Sequence, residues 1–205
     1  MKKIILLALA SLLCIGMFTG CGNSKSNQAW TFEDFSFYDD SGREIAFPVG
    51  DYFISLADIN EEKGGNYQTK RGVRIGDRAI AALEKYKIDG FHYRVHYFWG
   101  DGTASKDEAE RQDEKFHSKY ETFLEALQHA DEITGTGLVL YASMQFYVQD
   151  NKLVPHELQE NGNPIEWNND VDNYCVYFIV EDEKIKDVRF DIKKPFKFKD
   201  DRFND

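Results

Sequence analysis

Between Asn173 and Glu181 the chain reads Tyr174-Cys-Val-Tyr-Phe-Ile-Val180, a run without the polar alternation of a half-exposed strand. A strand that is apolar on both sides has to be covered on both sides, so the fold needs a layer above it and another below. The cover expected is a long helix on one face and, on the other, the N-terminal hairpin or a partner. Cys175, inside the run, behaves in such a place as a small hydrophobe rather than a nucleophile. The rest of the chain can build this core. Of its 205 residues 42% are hydrophobic and 15% aromatic, which suits one packed domain and not a disordered chain.

Charge excludes one class of partner. Lys and Arg number 25 against 36 Asp and Glu, a formal net charge of −11. Nucleic acid would meet a repelling field, so no nucleic-acid partner is expected.

The amino end carries an address. Lys2 and Lys3 form a basic start, Ile4 to Phe18 an apolar stretch broken only by Ser11 and Gly16, and Phe18-Thr19-Gly20-Cys21 a small-residue cleavage site ending in cysteine. The stretch is shorter than the ~20 residues of a comfortable membrane span. It resembles the bacterial lipobox, with phenylalanine where leucine usually stands three places before the cysteine. That resemblance implies cleavage before Cys21, diacylglycerol on its thiol, and a mature protein held by lipid on the extracytoplasmic side of the cell membrane. Residues 1–20 are then the lipoprotein signal, 21–29 the lipidated cysteine with a flexible polar tether, and 30–205 one extracytoplasmic domain. Loss of the leader removes Lys2 and Lys3 and no acid, so the mature chain is more negative still and anionic lipid offers it no electrostatic hold. Cys14 leaves with the leader and Cys21 becomes a thioether. Cys175 is left without a partner for an intramolecular disulfide, and stability must come from the core.

Periodicity predicts an α+β fold: a mostly antiparallel sheet with one short and one long helix packed on it. Phe35–Tyr38 and Arg43–Phe47 flank the turn cluster Asp39-Asp-Ser-Gly42 and read as a hairpin. Ala57 to Lys70 reads as loop. Asp77 is placed to cap a short helix from Arg78 to about Tyr86, with Ile80, Leu83 and Tyr86 on one stripe. Phe91 to Trp99 alternates as a half-exposed strand, with His92, Arg94, His96 and Phe98 on its outward side. Ser105 and Glu108 form a capping box that opens a long helix running to about Ile133. Its first three turns are expected to project into solvent, laced by pairs such as Asp107 with Arg111. Strands are expected at Leu138–Val148, Leu153–Val154, Tyr174–Val180 and Lys184–Ile192, the last two as a hairpin.

Thr69-Lys-Arg-Gly-Val-Arg-Ile-Gly-Asp77 resembles the Arg-Gly-Ile-x-Ile-Gly-Asp segment of many secreted bacterial lipoproteins of uncharacterised function. More distantly it is similar to the entry of the SmpA/OmlA and β-lactamase-inhibitor-protein-like domains. Tyr177-Phe-Ile-Val-Glu-Asp-Glu-Lys-Ile-Lys-Asp-Val188 resembles the closing hairpin of the same lipoproteins. What this resemblance implies is protein–protein binding at the cell envelope or inhibition of a secreted enzyme, with no role transferred to particular residues. The strand at 91–99 and the helix after it depart from the two adjacent helices of those domains.

Candidate chemistry is sparse. His92 and His96 are four apart, which chelates on a helix but separates the rings by ~13 Å on a strand. Asp101 to Asp107 lacks the glycine and glutamate of a calcium loop, and Asn168–Asp172 fits a solvated loop better than a calcium site. No nucleophile elbow, phosphate loop or dinucleotide fingerprint is found, so neither cofactor nor metal is expected. Lys70, Arg71, Arg74 and Arg78 cluster ahead of a helix and mark an anion or partner surface, with internal ion pairing as the alternative. The outward face of His92, Arg94, His96 and Phe98 is the second candidate surface. The function expected is a lipid-anchored module that binds an envelope protein. The alternatives are a hydrolase or sugar-active enzyme using carboxylates, and a small-molecule carrier, for which the chain is short.

Overall fold

The computed structural model describes residues 29–48, 53–87, 91–97, 104–156 and 172–193. It is an α+β fold with nine strands and four α-helices among these residues. After a 3₁₀ turn at Phe32–Phe35 come β1 (Phe37–Tyr38), β2 (Glu44–Ala46), β3 (Ile54–Ser55), α1 (Leu56–Lys63), β4 (Gln68–Thr69), α2 (Ala79–Glu84) and β5 (His92–Tyr97). Then follow α3 (Lys106–His117), α4 (Phe123–Gln128), a 3₁₀ turn at Ala130–Ile133, β6 (Leu138–Gln149), β7 (Lys152–Pro155), β8 (Asn173–Glu181) and β9 (Lys184–Lys193).

The large sheet is antiparallel in the order β3-β9-β8-β6-β5, with β7 also paired to β6, and a small sheet has the order β2-β1-β4. Two-residue turns fold β6 onto β7 and β8 onto β9. Asp150, Asn151, Asp182 and Glu183 all take positive φ there, as tight hairpins with right-handed twist require. A register shift between Ile179 and Val180 keeps both Ile185 and Val188 on the inner face of β9.

That inner face carries Leu138, Leu140, Ala142, Met144 and Phe146 of β6, and Tyr174, Val176, Phe178 and Val180 of β8. The helices and the N-terminal segment both lie on it: Tyr86 packs on Phe178 at 5.3 Å between ring centres, and Phe35 on Tyr174 at 5.1 Å. Trp30 closes one end, against Tyr86, Phe91 and Phe146. β8 is buried on both sides as its sequence predicts, but the hairpin does not supply the second cover. Phe37 of the hairpin stacks on Phe190, on the same face as the helices. On the outer face Val139, Cys175 and Ile179 are buried, and Tyr141 lies over Tyr177 with 5.3 Å between rings.

Several helical expectations are corrected. Ala57–Lys70 is not all loop: Ser55 caps α1 through Asp58 N–H, and Gly64 ends it in the left-handed conformation. Asp77 does not cap α2; its carboxylate accepts the Arg74 N–H and its carbonyl the Ile185 N–H. The long helix is broken after His117, because Thr122 and Glu125 form a capping box that starts α4; at the start of α3 Ser105 accepts the Glu108 N–H, but the Glu108 carboxylate turns to Gln112 and Arg111 and closes no box. The first turns of α3 also pack instead of projecting, with Ala109, Asp113 and Phe116 buried, and Arg111 pairs with Glu108.

Candidate functional site

β5 is the edge strand of the large sheet, and α3 lies along its open side. One buried carboxylate joins them. Asp113 Oδ1 accepts the Val95 N–H at 2.6 Å, and Asp113 Oδ2 accepts Arg94 Nε at 3.3 Å. An outward-pointing strand amide that would be an orphan at the edge is thereby satisfied. His117, one helical turn on, brings Nε2 to 3.5 Å from Asp113 Oδ1.

The histidines gather here. The His117 ring lies 4.4 Å from that of Tyr93 and 6.0 Å from that of His92, nearly parallel to both. His92 Nε2 is sealed from solvent without a hydrogen-bond partner among the described residues. Burial pushes the His92 imidazole below its ordinary value, His117 and Arg94 push it the same way, and Asp113 opposes them. The Tyr93 hydroxyl donates to the Tyr120 carbonyl, and burial raises the phenol to about 12. His96 is held separately: its Nδ1 donates to the Tyr97 carbonyl at 2.7 Å, since a carbonyl oxygen can only accept.

Beside this seam opens a cleft of about 170 Å³, lined by Arg94, Val95, His96 and Tyr97 of β5 and by Lys106, Ala109, Glu110 and Asp113 of α3. Arg94 is half-exposed at its mouth, and Lys106 pairs with Glu110 at 3.4 Å. The walls thus carry two cations and two carboxylates, a nearly neutral surface rich in donors and acceptors. Such a surface recognises a polar, charge-alternating segment better than a single ion. Among the described residues of the lining there is no serine, threonine or cysteine. Among the described residues no three His, Cys, Asp or Glu side chains converge to hold a metal.

Of the outward face read from sequence, His92, Arg94 and His96 stand together on β5 as alternation predicts; Phe98 lies outside the described residues, as do Trp99 and Cys21. The α3 wall is not among the residues expected from sequence, because the first turns of that helix read as solvent-exposed. Its signal is the spacing of Lys106, Glu110, Asp113 and His117, which places them on one helical face.

The cation quartet is dispersed over internal partners. Lys70 pairs with Glu33, Arg71 with the buried Asp34, and Arg74 with Asp40, Gln68 and the Asn66 carbonyl. Arg78 is exposed and bridges to Lys184 through the backbone. Counter-charges for three of the four therefore come from the chain itself. No described helix is long and apolar enough to cross a membrane. No family model matches the sequence, and neither a curated protein nor a solved structure matches the chain.

Proposed function

We propose that the chain is a lipid-anchored, extracytoplasmic module that binds a protein at the cell envelope through the β5–α3 cleft. The observation that carries this is the position of the cleft relative to the tether. Trp30, where the polar tether joins the domain, packs 6.2 Å from Phe91 at the start of β5. At ~3.3 Å per strand residue, Tyr97 lies about 20 Å further along. A chain held by Cys21 would thus present its mixed-charge cleft at the end away from the bilayer, where a partner can reach it.

A photo-crosslinking side chain placed at Arg94 in the full chain, in its own membranes, is expected to give a discrete protein adduct. The same group at Lys152 on β7 is expected to give none. Equal yields at the two positions would refute the cleft as the binding surface. Cys21→Ala is expected to abolish incorporation of labelled palmitate and to release the protein; a variant still in the membrane would refute the anchor.

One observation favours an enzyme instead, the Asp113–His117 contact at 3.5 Å. Asp113, however, is also taken by the Val95 amide and Arg94, and Glu110 stands beside it on the same helix instead of facing it across the cleft. That arrangement is a fastening more than an acid–base pair.

A further inference from the structure

The seam that closes the β5 edge contains a histidine it cannot hold in charged form. His92 Nε2 is enclosed with no acceptor among the described residues. A neutral ring with its proton on Nδ1 leaves only a lone pair there, whereas an imidazolium would put a charged donor in the same enclosed place, which is costly. Among the described residues the groups that face it are two on α3, the stacked His117 and the carboxylate of Asp113, and one on β5, Arg94. Across the sheet on β6 stands uncharged Ser143. Asp113 is the one attraction among them, and it is already shared by the Val95 amide, Arg94 and His117.

We propose that the β5–α3 seam is an acid-sensitive latch, in which protonation of His92 loosens α3 from β5 and uncovers the outer edge of the strand. The opened form binds a proton that the closed form rejects. Closure therefore weakens as pH falls below the ordinary imidazole value of ~6.5, and each further pH unit favours opening by up to about tenfold until the closed form itself takes the proton. Opening releases the Val95 N–H from Asp113 and parts the two walls of the cleft, so the binding surface is whole at neutral pH and lost on acidification. The latch is thus regulation of the site argued above, and it rests on that reading for its use though not for its detection.

The test is hydrogen exchange of the full chain at pH about 7.5 and about 5, on either side of ~6.5 and corrected for intrinsic rates. Protection over residues 92–97 and 106–117 is expected to fall about tenfold at the lower pH while β8 and β9 keep theirs. His92→Phe, which keeps the ring and removes the titration, is expected to abolish the drop. Equal protection at both pH values, a drop that persists in H92F, or a loss shared by β8 and β9 would each overturn the latch. Should H92F not fold, the ring resonances of His92 in the unaltered chain decide: titration below ~6.5 supports the latch and titration at or above it overturns it. A seam that opens while position 94 yields no adduct would sink only the binding reading. An adduct with unchanged protection would sink only the latch.

Discussion

The Asp34 carboxylate accepts Arg71 Nε at 2.7 Å and Nη2 at 2.9 Å in a place where neither side chain is more than 7% exposed. The same guanidinium lies over the rings of Trp30 and Tyr86 and donates to the carbonyls of Ala29 and Lys85. The pair therefore fastens the N-terminal segment to the end of α2. Removing one partner strands a buried charge, so Asp34→Ala is expected to cost about 3–5 kcal/mol in denaturant unfolding. Arg71→Lys keeps the charge but loses the fork and the flat stack, and is expected to be clearly destabilised too. Unfolding midpoints within error of the unaltered chain would show that the pair is not holding the segment.

Two helix caps separate local from long-range stabilisation. Thr122 accepts only the Glu125 N–H of its own helix, so Thr122→Ala should cost about 1 kcal/mol. Ser55 caps α1 through Asp58 N–H and also donates to Asp187, a buried carboxylate that Ala57 N–H and Arg189 Nε satisfy further. Ser55→Ala loses a cap and leaves Asp187 short of a donor, so about 2–3 kcal/mol is expected. Urea titrations of the two variants give the ordering directly, and equal losses would contradict it.

These caps also mark what the sequence made legible. The strands from β5 onward follow the sequence within a few residues, because alternation in Phe91–Tyr97 and its absence in Tyr174–Val180 report burial face by face, whereas β3 and β4, two residues each, carry no such pattern. The break at Ser118–Glu121 had a local signal, Thr122-Phe-Leu-Glu125, that was overridden by helical apolar spacing running through it. The same holds for Ser55-Leu-Ala-Asp58, hidden by the acidic run and paired glycines after it. Nothing local places Asp187 at the start of α1, since their hydrogen bond spans more than half the chain. The seam between Asp113 and Val95 was out of reach for a similar reason: strand alternation says which side chains face out, not which helix covers an edge.

Cys175 offers a direct check on the core. It is fully buried in β8, and burial pushes its thiol up to about 11, so neither access nor thiolate is available in the folded state. The chain carrying Cys14→Ala and Cys21→Ala is expected to resist thiol reagents at neutral pH and to take up one label per chain after unfolding in urea. Rapid labelling of the folded protein would place β8 nearer the surface than its packing allows.

At the foot of α3, Tyr120 donates to Glu132, which also meets Lys115 and Lys119 at 3.0 and 3.1 Å. The phenol hydrogen bond first, and the two ammonium groups after it, hold the Glu132 carboxyl down at about 2 from an ordinary 4.5. A carboxyl lowered on folding contributes stability that is complete above its unfolded value and is lost as pH falls through its folded one. The window for this cluster is therefore from about 4.5 down to about 2, and salt should narrow the effect because the two ammonium groups are nearly half exposed. Tyr120 is its mirror, raised to about 12 chiefly by the same hydrogen bond, so its contribution holds below 10.0 and fades as pH rises through 12. Tyr120→Phe removes the largest cause and leaves the lysines, so the Glu132 carboxyl should titrate well above about 2 and still below 4.5, read from its side-chain carbon resonance. No change in that titration would assign the depression to Lys115 and Lys119 and remove Tyr120 from the cluster.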